Sequence, residues 1–266
     1  MCSTDDIISC MSNAHGQMTQ FLKAKLLKGS VKILKQMDIE CIDFAISFKD
    51  KILFSPEPRN KLMAASTKKT KTKTVVNISP LVISAIHISK HNELLLGVRE
   101  QGSMFPVTDL STRLVAVFGT DYKRKSTFMR NDEGKGLFNY TSRIATDSTN
   151  NIYVIDLFNN DVGRIVSIDR TGHKRFLYNG FVSFNTQETA FNPTDIAVTS
   201  RDTTIISDCD NHALHALNVN GELIGLQITR NFDILYPCSL CIDNEGFLLI
   251  GCNEYDAKIY VVKLLS

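Results

Sequence analysis

The sequence predicts an all-β protein that folds as a β-propeller, and three observations support that prediction. Five windows share one layout, in which a short strand leads through a polar turn such as STNN or DNEG into a second, aliphatic strand. The windows are 44–56, 86–98, 144–156, 196–208 and 240–252. They begin 42, 58, 52 and 44 residues apart, a spacing typical of propeller blades. They lack the 3.6-residue periodicity that a helical repeat would show.

Further strands follow the later windows, so each unit is predicted to contain up to four antiparallel strands. Tight turns at 170–172 (RTG) and 219–221 (VNG) join these additional strands. The prediction is therefore a propeller over residues 30–266, with five recognisable blades and five or six in total.

The N-terminal segment, residues 1–29, is predicted to be a short helix outside the propeller. Its apolar residues recur every three or four positions, and Gly29 follows as a helix terminator. A helix of this kind would offer a surface for self-association. The apolar positions are Ile7, Met11, Ala14, Met18, Leu22 and Leu26.

Closure of the ring has two interpretations. In the first, GSVKILKQM at 29–37 is an outer strand that closes the ring against the C-terminal strands, which would remove an exposed sheet edge. In the second, a sixth blade is lost or eroded near the N-terminus. The sequence favours closure by the N-terminal strand.

Composition narrows the classes of partner and compartment. The 266 residues carry a formal net charge of +2, which argues against nucleic acid binding over most of the surface but allows a local basic patch. Seven cysteines, an odd number, and the absence of a signal-peptide pattern favour a reducing, cytoplasmic setting. No window approaches 18 apolar residues, so no membrane span is expected.

A family resemblance rests on residues in two of the repeats. Asp208 followed by Asn211, His212 and Leu214 resembles the signature of NHL repeats, and Asp156 with Asn159 repeats the same offset. The other units depart from the signature, with Pro56, Val98, Cys252 and Tyr255 at these positions.

From about residue 80 onward the chain resembles the C-terminal NHL propeller of tripartite-motif-like proteins, without a RING or B-box. The resemblance implies a non-catalytic platform that binds protein or RNA in a cytoplasmic regulatory or ubiquitin-ligase-related assembly.

Two clusters of potential metal ligands favour structural interpretations. Cys209, Asp210, His212 and His215 lie close together in sequence, but on a turn followed by a strand the two histidines need not converge. The pair Cys238 and Cys241 forms a CxxC without the second pair that a zinc site requires. We therefore expect no metal and no cofactor.

Two basic segments also favour structural interpretations. The run KKTKTK at 68–73 is interpreted as an outer strand whose lysines discourage pairing with other chains. The segment YKRK at 122–125 is interpreted as part of a long connecting loop.

The alternative function is a calcium-dependent propeller hydrolase or lactonase, which needs oxygen ligands converging on the central channel. The residues just before the five windows are Asp43, Ala85, Arg143, Asp195 and Ser239. Two acids opposed by an arginine make a poor calcium site, so a binding platform is favoured. A ring that mediates only self-assembly is the remaining alternative.

Partner-binding residues are expected on the connections between the second and third strands and on those that enter each blade, because rigid scaffolds carry recognition on loops. Arginine and tyrosine combine contact area with directional polar groups. The several arginines in the set favour an anionic or acidic partner. The candidates are Arg59, Arg99, Tyr140, Arg143, Asn159, Arg164, His212, Tyr236 and Tyr255.

Overall fold

The computed structural model of this chain describes residues 2–4, 7–12, 20–66, 69–253 and 258–264. These residues form six antiparallel sheets, each a meander of consecutive strands. The first strands of the sheets lie beside one another, from β5 with β9 to β1 with β21. The protein is a six-bladed β-propeller, with the first strand of each blade innermost and the last strand outermost.

Blades 1 to 3 contain four strands each. Blade 1 comprises β1 Cys2–Thr4, β2 Ile7–Ser12, β3 Gln20–Leu27 and β4 Ser30–Asp38. Blade 2 comprises β5 Phe44–Ile46, β6 Lys51–Phe54, β7 Lys61–Ser66 and β8 Lys69–Asn77. Blade 3 comprises β9 Val82–Ile88, β10 Leu94–Arg99, β11 Arg113–Phe118 and β12 Arg124–Phe128.

Blades 4 and 5 contain four strands, and blade 6 contains three among the described residues. Blade 4 comprises β13 Thr141–Thr146, β14 Ile152–Leu157, β15 Gly163–Ile168 and β16 Lys174–Tyr178. Blade 5 comprises β17 Pro193–Val198, β18 Thr204–Asp208, β19 Ala213–Leu217 and β20 Leu223–Ile228. Blade 6 comprises β21 Pro237–Ile242, β22 Phe247–Cys252 and β23 Ile259–Lys263.

Helical structure within the described ranges is confined to one 3₁₀ turn, Thr229–Phe232, between blades 5 and 6. Accordingly, no helix in the part of the chain that the structure describes is long and apolar enough to cross a bilayer.

The innermost strands of the later blades share a β-bulge near their start. The register with the second strand shifts between Thr141 and Arg143, between Pro193 and Asp195, and between Pro237 and Ser239. A bulge adds one residue to a strand and redirects the side chains that follow it. The bulge therefore fixes where Arg143 and Asp195 sit relative to the central channel.

The turns between the third and fourth strands pack onto the preceding blade. Gly172 has φ +96°, and a Cβ there would lie 2.6 Å from Cδ1 of Phe128 on β12. Gly221 has φ +84° and approaches the ring of Phe176 on β16 in the same way. Both positions need glycine for the backbone angle and for the close contact. The predicted turns at RTG and VNG are thus confirmed, and they also join neighbouring blades.

The hydrophobic core lies between adjacent blades rather than at the axis. One buried cluster joins Leu95 and Val117 of blade 3 to Ile144 and Val154 of blade 4. Side chains of this size contribute about 1.5–3 kcal/mol each when fully buried. Each blade is therefore held mainly by its two neighbours.

The prediction of an N-terminal helix is wrong, because residues 2–38 contribute the four strands of blade 1. Phe21 is buried against blade 2, and Ala24, three residues later, is buried on the other face against blade 6. A strand that is buried on both faces does not alternate, and it can therefore imitate helical spacing. The boundary at residue 29 falls in the β3–β4 turn, and self-association through a helix loses its basis.

Closure by pairing of an N-terminal strand with the C-terminus is also wrong. β4 is an outer strand, as expected for 29–37, but it pairs with β3 of its own blade. The ring closes by side-chain packing, in which Ile8 and Ala24 of blade 1 lie against Cys241 and Leu249 of blade 6. The sixth blade is the N-terminal one.

The strand predictions for the five windows are confirmed, since each coincides with an innermost strand paired to the next strand. The basic run falls on β8, the outer edge of blade 2, with Lys73 exposed. Lys68 lies outside the described residues. The segment at 122–125 is not a loop between blades, because Arg124 and Lys125 begin β12.

Candidate functional site

The propeller has two ends, which carry different connections. The end that we call the rim face carries the connections between second and third strands and those that join one blade to the next. The opposite end, the turn face, carries the turns between first and second strands and between third and fourth strands. All described members of the predicted binding set lie at the rim face, and Tyr255 lies outside the described residues.

Three predicted rim residues are buried and hold the loops in place. Arg99 is 7% exposed and donates from Nη1 to the carbonyl oxygen of Gly102 at 2.9 Å. Tyr140 is 7% exposed. His212 is 4% exposed, and its Nδ1 accepts a hydrogen bond from the backbone N–H of Tyr236 at 2.8 Å. Arg99, Tyr140 and His212 therefore expose little surface to a partner, and their role as partner contacts stays a prediction.

Arg59 and Arg164 are partly exposed, but each is paired within the chain. Arg59 Nε lies 2.6 Å from Glu57 Oε1. Arg164 Nε donates to Oδ2 of the fully buried Asp156 at 2.9 Å. Burial raises the pKa of Asp156, and the Arg164 guanidinium opposes that rise. These guanidinium groups do not provide the unpaired positive charge expected for an anionic partner.

Asn159 and Tyr236 are the exposed members of the predicted set. The Asn159 side chain caps its own loop, because Oδ1 accepts from the backbone N–H groups of Asp161 and Val162 at 2.8 and 2.9 Å. Tyr236 is 43% exposed and packs edge-on against His212, with ring centroids 4.3 Å apart. Tyr236 is thus an aromatic residue that is fixed by His212 and exposes 43% of its surface.

Arg143 lies at the central channel between two carboxylates from other blades. Its Nη1 is 3.8 Å from Asp43 Oδ1, and its Nε is 3.8 Å from Asp195 Oδ1. Each aspartate also accepts a backbone N–H from the next blade: Ile86 to Asp43 at 2.7 Å and Leu240 to Asp195 at 2.8 Å. The channel acids therefore bridge neighbouring blades, and the arginine partly neutralises them.

The electrostatics of the channel follow from this arrangement. Asp43 raises the pKa of the Arg143 guanidinium, against the effect of burial and with further support from Asp195. Burial raises the pKa of Asp43, and Arg143 opposes that rise. Calcium needs six to eight oxygen ligands. A guanidinium between the two carboxylates does not fit such an ion, and the described residues contain no group of three metal-ligand side chains suitably placed.

The two histidines of the 209–215 stretch have separate partners. His212 is bonded to Tyr236, whereas His215 is fully buried and its Nδ1 lies 2.7 Å from the hydroxyl of Tyr178. Nε2 of His215 lies 3.3 Å from Asp208 Oδ2, outside hydrogen-bond geometry. Non-convergence of the histidines is confirmed. Their predicted placement is also confirmed, because His212 occupies the turn with φ +48° and His215 lies on β19.

The cysteines in this region are poor metal ligands or nucleophiles. Burial raises the pKa of Cys209 to about 12 and also raises the pKa of Cys238. The thiolate is the form that binds metal. Cys241 is buried in the packing between blades 6 and 1, as a small hydrophobic residue would be. Absence of zinc remains a prediction.

The repeat aspartates share one structural role. Oδ1 of Asp208 accepts the backbone N–H of Asn192, and Oδ1 of Asp156 accepts those of Asn139 and Tyr140. Each carboxylate thus fixes the connection that enters its own blade. Asn211 supports Asp208 through Nδ2 at 2.9 Å. In contrast, Asn159 has a different role in the equivalent loop.

The sequence-based set missed a group of exposed apolar side chains on the rim face. A possible signal was the presence of large apolar residues in connections that lack strand alternation, as in GFVSF at 180–184. Exposed apolar patches of this kind mark interaction surfaces when they are contiguous. The group comprises Leu110, Phe158, Phe181, Val182 and Phe232, and Tyr236 lies four residues after Phe232 on the same connection.

Comparisons with known proteins show the fold alone. No family model matches the sequence, and no curated protein matches it. A streptogramin B lyase matches in structure with a TM-score of 0.57 and 14% identity, over 98% of this chain and 84% of that one. A putative gluconolactonase matches with a TM-score of 0.59 and 12% identity, over 93% and 86%. Regucalcin, a calcium-binding protein from Agrobacterium tumefaciens, matches with a TM-score of 0.58 and 11% identity, over 89% and 76%.

Proposed function

We propose that this chain is a non-catalytic binding platform and that its rim face binds a protein partner. The observation that carries the proposal is the set of exposed apolar side chains on rim connections, of which Leu110 is 94% and Val182 87% exposed. Exposed aromatic and aliphatic groups on a rigid scaffold are the usual anchors of protein interfaces. The NHL-like repeat residues agree with this role, as does the expected cytoplasmic regulatory context.

A protein partner is favoured over RNA because the four arginines of the predicted binding set are buried or paired. Affinity for nucleic acid depends on lysine and arginine groups that neutralise phosphates. Arg99 is buried, Arg59 and Arg164 have carboxylate partners, and Arg143 lies between Asp43 and Asp195. The predicted arginines therefore offer little unpaired positive charge to phosphates, whereas several large apolar side chains on the same connections are exposed.

A non-catalytic role is favoured over a calcium-dependent hydrolase by the same channel cluster. A metal that activates water needs an open coordination site with several oxygen donors. The two channel carboxylates are instead occupied by backbone N–H groups and by Arg143. The lactonase and lyase activities of structurally similar proteins therefore give this chain no catalytic assignment.

A matched pair of variants tests the rim face. Phe232 on the rim face and Phe48 on the turn face are both 62% exposed, so Phe232→Glu and Phe48→Glu remove equal hydrophobic surface from opposite ends. We expect proteins crosslinked in cells and identified by mass spectrometry to be lost with Phe232→Glu and retained with Phe48→Glu. Equal retention by both variants would contradict the assignment of the rim face.

The alternatives are measured on the same wild-type protein. Crosslinked RNA that is recovered with a steep salt dependence, without a specific protein, would replace the protein partner by RNA. Stoichiometric calcium together with lactone hydrolysis would replace the binding platform by a hydrolase.

A further inference from the structure

The hairpin of β3 and β4 in blade 1 extends further than the corresponding hairpins of the other blades. In blades 2 to 6 the last residue of the third strand pairs with the first residue of the second strand, as Leu217 does with Thr204. In blade 1 the pairing of β3 with β2 ends at Lys25, opposite Ile7, whereas β3 continues to Leu27. Two strand residues span about 7 Å, so the tip of this hairpin extends by about that distance beyond β2 on the turn face.

The tip of the hairpin exposes apolar side chains. Leu27 is 48% and Val31 47% exposed, one on each side of the turn at 28–29. Further along β4, Ile33 is 55% and Leu34 47% exposed. Exposed apolar residues that are concentrated on one element mark a contact site for a protein or a membrane.

Lysines lie at the same end of the hairpin as the apolar tip. Lys25 on β3 and Lys32 on β4 are opposite each other in the register, and both are exposed, as is Lys28 in the turn. These three lysines have no ion-pair partner among the residues that the structure describes. Like charges directly opposite each other destabilise a sheet. Because residues 20–37 contain no acidic residue, this positive charge is available to an anionic partner.

We propose that the β3–β4 hairpin attaches the protein to the surface of an anionic lipid membrane. Leu27 and Val31 insert among the lipid headgroups, and Lys25, Lys28 and Lys32 contact the lipid phosphates. Interfacial protein segments bury their apolar side about 5–10 Å deep in the headgroup region, which matches the extension of the tip by about 7 Å. Attachment of this kind requires no membrane-spanning segment.

The composition and shape of the hairpin favour a lipid surface over a macromolecular partner. Proteins that bind single-stranded RNA stack bases on exposed aromatic side chains. Phe21, the only aromatic residue in the sequence from 20 to 38, is 1% exposed. A stable protein interface buries about 800 Å² on each partner, more than a narrow hairpin tip provides. A membrane surrounds such a tip on all sides and needs no matching surface.

The rest of the turn face restricts the contact to blade 1. Other turns on this face carry exposed acidic residues, which anionic lipids repel: Asp50, Asp121, Glu222 and Glu245. Asp50 is paired with Lys23, on the side of β3 that faces blade 2. The propeller therefore meets the membrane at the edge formed by blade 1, and the rim face stays accessible to its protein partner.

Flotation of the full chain with lipid vesicles tests the attachment. We expect binding to vesicles of phosphatidylcholine and phosphatidylserine that weakens as salt is added, and no binding to vesicles of phosphatidylcholine alone. Lys25→Gln with Lys32→Gln should weaken the binding by about tenfold or more. Leu27→Asn with Val31→Asn should weaken it by about tenfold as well, because the apolar tip can no longer insert.

Two control variants remove equivalent groups from other positions on the turn face. Lys123→Gln with Lys174→Gln removes two exposed lysines, in the β11–β12 turn and at the start of β16. Phe48→Asn with Val219→Asn removes apolar side chains that are 62% and 42% exposed. Both controls should bind the vesicles as the wild type does, and urea denaturation should show that all four double variants are folded.

Tryptophan fluorescence tests insertion of the tip directly. The chain contains no tryptophan, so Leu27→Trp places a single reporter at the tip and Phe48→Trp a matched reporter elsewhere on the turn face. We expect phosphatidylserine vesicles to move the emission of Leu27→Trp, but not that of Phe48→Trp, to shorter wavelength.

Several results would overturn the proposal. These are no binding to either kind of vesicle, equal binding to both, equal loss in the hairpin variants and their controls, or unchanged emission from Leu27→Trp. RNA binding that is lost with Lys25→Gln and Lys32→Gln, without vesicle binding, would assign the hairpin to nucleic acid instead. Because the hairpin is on the turn face, none of these results bears on the rim face.

Discussion

The buried repeat aspartate gives a sharp test of how the blades hold their loops. Asp208 is fully buried, with Oδ1 accepting from Asn192 N at 3.1 Å and Oδ2 accepting from Asn185 Nδ2 at 2.7 Å. Asn211 Nδ2 donates to the same carboxylate. Asp210, two residues later, is exposed and accepts one bond, from Asn192 Nδ2 at 2.8 Å. The two acids therefore differ in burial and in number of donors.

Replacing Asp208 by Ala leaves buried donors without an acceptor. A hydrogen bond to a charged group contributes about 1.5–3 kcal/mol. The losses of the several bonds to Asp208 do not simply add, because the variant also removes the cost of burying the carboxylate charge. We expect Asp208→Ala to lower the free energy of unfolding by about 3 kcal/mol. Asp210→Ala, an exposed change, should stay within about 0.5 kcal/mol.

Urea denaturation followed by circular dichroism measures this difference. With a slope of about 3 kcal/mol per molar urea, Asp208→Ala should move the midpoint down by about 1 M. Asp208→Asn, which keeps one acceptor oxygen, should fall between Asp208→Ala and the wild type. Equal midpoints for Asp208→Ala and Asp210→Ala would refute the role given to the repeat aspartate.

Three further predictions concern packing, protonation and the channel. Gly172→Ala should lower the free energy of unfolding, measured in urea, by about 2 kcal/mol or more, because the new Cβ meets both a positive φ and the ring of Phe128. Gly134→Ala has a positive φ but no atom near the new Cβ, so it should cost about half as much or less. Burial lowers the pKa of His87 to about 4, so between pH 6.5 and 4 the imidazole is protonated in the unfolded chain but not in the folded one. The free energy of unfolding should therefore fall as the pH falls through this range, by at most about 3 kcal/mol from this residue. His87→Gln should reduce that loss of stability, measured by urea denaturation at several pH values between 6.5 and 4. Arg143→Gln should lower the free energy of unfolding by about 1–2 kcal/mol, because Asp43 and Asp195 lose a guanidinium partner that is about one-third exposed. An unchanged midpoint of urea denaturation would contradict the channel ion pairs.

The outcome at the N-terminus shows where sequence patterns fail. Phe21 and Ala24 have helical spacing, yet they lie on opposite faces of β3, with Phe21 against blade 2 and Ala24 against blade 6. Burial of both faces depends on the neighbouring blades, which a pattern within one segment does not contain. The predicted way of closing the ring followed the same error, whereas the six blades observed agree with the predicted total of five or six.

At the candidate site, too, the sequence predicted the position of residues along the chain but not the burial of their side chains. The sequence placed Arg99, Tyr140 and His212 on connections at the correct end of the propeller, because strand order alone decides which connections share an end. It did not predict that these side chains turn inward, since burial depends on how the 100–112 and 229–236 connections fold over them. The exposed Phe232 and Val182 went unnoticed for the same reason.

The sequence by itself determined the all-β class, the five later innermost strands and the turns at Gly172 and Gly221, because these depend on alternation, β-branched residues and positive φ within a few neighbouring residues. Tertiary structure alone decided that Arg143 lies between Asp43 and Asp195, and that Glu93 gathers Lys125, Asn150 and Arg170 into one cleft. The members of each cluster come from at least two blades and lie tens of residues apart in sequence. Their contacts exist only once the packing of the blades has set the distances between them.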